Sequence, residues 1–133
     1  IPLDKILKEF CPEYVKFSNS WNKQYLPTKF FGNTYEKKDE SLEFVPDISG
    51  NRQDYDIASW ELNPGDIIAF NISIIPGYPG NRSINIRRAF SVRFVGDDAT
   101  FAKRKGEVSP PFPEVKLNHG DKMDSPSFPK III

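Results

Sequence analysis

The sequence is poor in the side chains that carry redox, metal and nucleophilic chemistry: it has one cysteine, one histidine and one methionine. Cys11 alone allows neither an internal disulfide nor a cysteine zinc site. A solitary cysteine is more often a small buried hydrophobe than a nucleophile. His119 sits in "NHGDKMD", where His119 and Asp121 have the His-x-Asp spacing of two iron ligands. No second imidazole can complete that set, so metal binding is not expected there. Surplus charge is missing too. Eighteen basic residues balance eighteen acidic ones, which leaves no footprint for nucleic acid or an anionic membrane. No apolar run reaches the length of a membrane span, and "IPLDKILKEF" lacks the basic and apolar regions of a signal peptide. A cytoplasmic, reducing setting is the expectation. The start at Ile1, without an initiator Met, fits a chain that begins in mid-domain.

What the sequence does hold is aromatic and rigid. Eleven Phe stand beside twelve Pro and eight Gly in 133 residues. Aromatics supply much buried area per residue, and proline at this density disfavours long helices. The length fits one domain, residues 1–133, truncated or whole. The opening ten residues read either as a short amphipathic helix or as a strand end and turn. "PEYVKF" has a strand pattern. Residues 18–58 form a long, polar, irregular loop anchored by aromatics, in which Trp21, Phe30, Phe31 and Tyr35, with Trp60 beyond it, line a substrate mouth or merely hold the loop down. "NPGD" is turn chemistry. "DIIAFNISII" is the best strand, "PGYPGN" a turn and "NIRRAFSVRFVG" the next strand. A proline-rich tail follows. In an extended chain Ile68, Phe70, Ile72 and Ile74 share one face, and Arg87, Ala89, Ser91 and Arg93 share another. Each strand therefore has an apolar face for a core and a small or polar face for a pocket.

Two further patterns have simple explanations. Asn71-Ile-Ser73 and Asn81-Arg-Ser83 match the glycosylation pattern by chance more readily than by purpose. Asp97 and Asp98 follow Gly96 at a strand end, where a turn explains them better than an acid/base dyad.

The ordered motifs resemble a family. "W-x-L-x-P-G-D-I-I-A-F" at 60–70, "G-x-x-G-N" at 77–81 and "R-R-A-F-S-V-R-F-x-G-D-D-A" at 87–99 are similar to the C-terminal half of the phytanoyl-CoA dioxygenases. "R-K-G-E-V-S-P-P-F-P" and "N-H-G-D-K" extend the likeness into the tail. The resemblance implies an all-β fold, a double-stranded β-helix (a cupin-like jelly roll), here partial. It implies non-haem Fe(II) and 2-oxoglutarate chemistry, with iron on two histidines and a carboxylate.

Residue by residue, the likeness is degenerate. The family's His-x-Asp would precede Ile1. Its distal histidine falls on Pro76, and two other family histidines fall on Asn71 and Asn19. The arginine that clamps 2-oxoglutarate falls on Arg87, and Ser91 shares its face and is placed to support the same carboxylate. The expectation is a dioxygenase-like domain without its iron ligands, inactive or a fragment of a longer active hydroxylase. A 2-oxoglutarate or other small carboxylate site at Arg87 and Ser91 is retained, and Fe(II) is not expected to bind. The alternative is a binding module with no oxygenase activity, with a homodimer as partner state and neither nucleic acid nor membrane.

Overall fold

The computed structural model describes residues 1–28, 39–104 and 111–131. Regular structure among them is sparse and β in kind. Three short strands make one antiparallel sheet, and the helical elements are three single 3-10 turns. Strand β1 is Glu13–Val15, β2 is Ile57–Ala58 and β3 is Ile75–Gly77. The order is β2-β1-β3, with Tyr14 opposite both Ala58 and Pro76. The all-β expectation stands at this level. Contacts sort the described chain into two units, Ile1–Leu26 with Ser41–Val92 and Pro27–Glu40 with Arg93–Ile133.

The first unit is built around β1. "PEYVKF" was expected to be extended throughout, yet the strand ends at Val15. Phe17 adopts the left-handed conformation, φ 61°, and starts a 3-10 turn at Ser18–Trp21. The turn brings the Ser18 hydroxyl back under the sheet. Its Oγ donates to the Val15 carbonyl at 2.8 Å and accepts the Ile75 N–H at 2.8 Å. Ser18 is 3 % exposed, so this hydroxyl ties β1 to the first residue of β3 where water cannot compete.

The first ten residues are extended rather than α-helical. Pro2 bridges Ala89 and Ile6 bridges Leu62, after which Lys8–Phe10 make a 3-10 turn. These pairings bury Ile6, Cys11 and Leu62 together, with Phe10 and Ile68 packed against them. Asn63-Pro64-Gly65-Asp66 closes as its residues require. Gly65 takes φ +95°, Asp66 N–H donates to the Asn63 carbonyl, and Asp66 Oδ2 accepts the Asn63 N–H.

Two sequence expectations fail in this unit. The strand expected over 67–74 does not form. Asn71 begins a turn instead, with Ser73 N–H on Asn71 Oδ1 and Ile74 N–H on the Asn71 carbonyl. The strand starts at Ile75, the last residue of the expected strand, and runs into the segment expected to be the turn, at Pro76 and Gly77. Ile67, Phe70 and Ile72 are consequently exposed, at 70 %, 48 % and 78 %. The strand expected over 87–95 is reduced to one bridge at Ala89, and Phe90 and Val92 are exposed. At 67–74 the Asn71 turn interrupts the pattern although Ile68 and Phe70 pack on the core and on Tyr14, and at 87–95 the exposed alternating residues give a β-propensity nothing to hold a strand. Strand β2 and the turn Arg52–Asp54 lie in the stretch expected to be an irregular loop. Of the expected loop anchors, Phe30, Phe31 and Tyr35 lie outside the described residues.

The second unit is a loose hairpin with an aromatic centre. Thr100 bridges Lys122, and Phe101 exchanges backbone hydrogen bonds with Gly120 and Asp121. Phe128 packs on Phe101 at 6.1 Å and edge-on to Phe112 at 5.3 Å.

The Ser18 linkage generates a test. Ser18→Ala leaves the Ile75 amide without its acceptor and is expected to cost about 1–3 kcal/mol. Ser20→Ala removes an exposed bond to the Phe17 carbonyl and should change stability by less than about 0.5 kcal/mol. Urea unfolding of the two variants measures the contrast.

Candidate functional site

The strands of the first unit bring together a pair that spacing alone does not suggest. Glu13 opens β1, and Arg52 stands at the start of a 3-10 turn 39 residues later. Arg52 Nη1 donates to Glu13 Oε2 at 2.8 Å and Nη2 to Oε1 at 2.9 Å. Two parallel bonds of this kind hold the planar fork rigidly against the carboxylate. They stabilise its charge and lower the Glu13 pKa from its ordinary 4.5, against the opposing effect of partial burial.

This pair separates two hollows. One, of about 190 Å³, lies between β1, β3 and the segment 45–49, with Asp47, Ile48, Ser49 and Pro76 on its walls. The other, of about 370 Å³, lies on the β2 side beside Lys8, Lys16 and Trp60. Their polar groups are largely committed to structure. Asp47 Oδ1 accepts the Gly50 N–H at 2.9 Å, and Lys16 pairs with Asp56 at 3.0 Å. Tyr14, beneath the sheet, packs on Phe70 at 4.7 Å and Trp60 at 6.2 Å. Burial pushes its hydroxyl up to about 12, with Tyr78 and Cys11 adding smaller effects.

The residues singled out from sequence are scattered. Arg87 is half-buried, and its Nη1 donates to the carbonyl of Phe10. Ser91 is exposed. The bidentate arginine–carboxylate pair in this segment belongs instead to Arg88. Its Nε and Nη2 reach Asp4 at 3.0 and 2.7 Å, and its N–H donates to the same carboxylate at 2.8 Å. Those bonds lower the Asp4 pKa from 3.8 to about 2. Pro76 lies on β3 and lines the smaller hollow, Asn71 caps its own turn, and Asn19 is exposed in the 3-10 turn after β1.

The remaining candidates have local roles. Asp97 and Asp98 are the middle of a turn closed by Ala99 N–H on the Gly96 carbonyl. Asp121 Oδ2 accepts the Asn118 N–H at 2.6 Å and so closes the turn containing His119. Cys11 is wholly buried and unbridged. Among the described residues no three His, Cys, Asp or Glu side chains come together in a way that fits an iron ion, so no step is derived through one.

The two arginine forks imply an acid sensitivity with a defined sign. A carboxylate whose folded pKa is depressed contributes stability above its unfolded pKa and loses it as pH falls through the folded value. Asp4 therefore supports the fold fully above 3.8 and loses that contribution between 3.8 and about 2, and Glu13 loses its own below 4.5. Carboxyl-carbon NMR titration should place both transitions below their ordinary values. Arg52→Ala should return Glu13 toward 4.5 and leave Asp4 unmoved.

No helix among the described residues is long and apolar enough to cross a membrane. Compared with family models, curated proteins and solved structures, the chain gives no match.

Proposed function

We propose that this chain is a binding module, a partial jelly roll akin to half of a phytanoyl-CoA dioxygenase domain, that works by presenting an incomplete sheet and not by oxidation. The observation that carries the reading is the exposure of the apolar residues a closed double-stranded β-helix would bury. Ile67, Ile72, Ile84 and Ile86 are 70–101 % exposed, and Phe70, Phe90 and Val92 are about half exposed. This many large apolar side chains left in water on a folded chain is the surface a partner covers. The three-stranded antiparallel sheet is compatible with the architecture, and the positions matched to iron ligands hold Pro76, Asn71 and Asn19. A second copy exchanging strands and a cytoplasmic setting belong to the same reading.

A second reading, a small-carboxylate site at Arg87, is favoured by one observation. Arg87 is bonded to a carbonyl and to no carboxylate among the described residues, so donors of its guanidinium are left to meet an anion. Ser91 and 2-oxoglutarate would belong to that site.

Incubation with Fe(II), ascorbate, O₂ and 2-oxoglutarate separates module from enzyme. No succinate above the protein-free rate is expected, and protein-dependent succinate would overturn the module reading. Anaerobic calorimetry with 2-oxoglutarate examines the second reading: heat of binding that disappears in Arg87→Ala supports it, and no heat removes it.

A further inference from the structure

The segment Arg82–Val92 combines three features that nothing in the unit's own stability requires. The first is a loop whose Asn81 and Ser83 side chains hydrogen-bond to one another and to its own backbone. Asn81 Nδ2 donates to the Asn85 carbonyl at 2.7 Å, Ser83 Oγ donates to Asn81 Oδ1 at 2.7 Å, and Asn85 N–H donates back to Ser83 Oγ. The closed loop leaves an isoleucine facing water: Ile84 is 101 % exposed and Ile86 79 %. A loop held this way loses little further backbone freedom on binding.

The second feature is a free strand edge. Leu3 N–H bonds the Arg88 carbonyl at 2.9 Å and Phe90 N–H bonds the carbonyl of Ile1 at 2.8 Å, with Pro2 opposite Ala89. In an antiparallel pair this turns the Ala89 N–H and C=O to the opposite edge. No described residue meets them there.

The third feature is charge. Residues 82–92 hold Arg82, Arg87 and Arg88 and no carboxylate. Asp4 neutralises Arg88, while Arg82 and Arg87 have no carboxylate partner among the described residues.

From these we infer that the free backbone edge at Ala89, with the loop that displays Ile84 beside it, is a docking site for an extended, acidic segment of another protein. The segment adds as a strand along Ala89, its apolar side chains lie over Ile84, Ile86 and Phe90, and its carboxylates reach Arg82 and Arg87. Strand addition uses main-chain hydrogen bonds for affinity and alternate side chains for specificity, and the arginines select the sign of charge. A bilayer fits less well, because extended backbone with unpaired amides is not tolerated in hydrocarbon. The inference rests on the binding-module reading and names its partner.

The probe is a fluorescein-labelled decapeptide alternating valine and glutamate, titrated into the intact chain and followed by anisotropy. Saturable binding is expected. It should weaken roughly tenfold or more with Ile84→Asp and with Arg82→Glu, the size of a hot-spot loss. Ile84 is fully exposed, so its replacement leaves the fold intact, which the thermal midpoint checks. The same peptide N-methylated at alternate amides, and its valine–lysine counterpart, should not bind. Equal binding of either control overturns the assignment, as does no binding of the glutamate peptide. Binding only to phosphatidylserine vesicles, or a dimer in sedimentation that Ile84→Asp dissolves, assigns the surface to a membrane or to a second copy and also overturns it. Succinate formation in the oxidation assay defeats the module reading itself, whereas failed peptide binding without succinate defeats only the docking strand.

Discussion

The first unit depends on three residues, Glu13–Val15, being paired on both sides at once. A strand this short supplies few backbone bonds, and its partners are distant in the chain: Ile75 lies 57 residues beyond Ser18, to which it is tied. Loop-closure entropy opposes such pairings before any contact rewards them. What holds them is therefore a set of buried or bidentate polar links at the ends of β1. Ser18 joins it to β3, and the Glu13–Arg52 fork joins it to the turn before β2. Ser18 matters more per bond because it is buried, whereas the arginine fork is half in water and screened. The left-handed Phe17 belongs to the same device. Without that sharp change of direction the hydroxyl would not return under the sheet. A left-handed non-glycine residue costs about 1–2 kcal/mol, and a buried, doubly used hydroxyl is of the size needed to offset it.

Local chemistry was legible in the sequence where it is self-contained. The Pro64-Gly65 turn, the strand character of Glu13–Val15 and the burial of Cys11 all follow from residue type and near neighbours, whereas the opening ten residues read equally as helix or strand. The Glu13–Arg52 fork was not legible, because a salt bridge across 39 residues leaves no mark on spacing. The failure at 67–74 and 87–95 is more informative. Both stretches alternate as strands should, and period-two alternation records which face is meant to be covered without recording what covers it. Asn71 supplies the local alternative. Its side chain captures the amide of Ser73 and turns the chain before the strand can extend. Seen that way, "NIS" is a turn signal set inside a strand pattern, and here the turn prevails even though Phe70 packs on Tyr14.

The arginines show how one residue type is divided among roles. Arg52 and Arg88 each take a carboxylate in a fork and thereby join distant segments. Arg87 shares its segment with Arg88 but takes a backbone carbonyl instead. Family likeness singles out Arg87 as the anion clamp, while geometry gives the carboxylate to its neighbour. A single-residue shift along an extended chain reverses the face, so the two arginines cannot exchange these jobs without moving the segment. An anion offered to this region meets Arg87 rather than Arg88, because Asp4 already occupies the latter.

Burial sets the terms for what such a chain can do. Only seven hydrophobic side chains form the buried core among the described residues, and small domains have little margin from burial to begin with. Isoleucines and phenylalanines kept in water add nothing to that margin and raise the risk of edge-to-edge association. At Ile84 the exposure is organised: side-chain hydrogen bonds hold the loop in the shape that displays it. The positive charge of Arg82 and Arg87 beside it favours an acidic strand over a basic one at that edge.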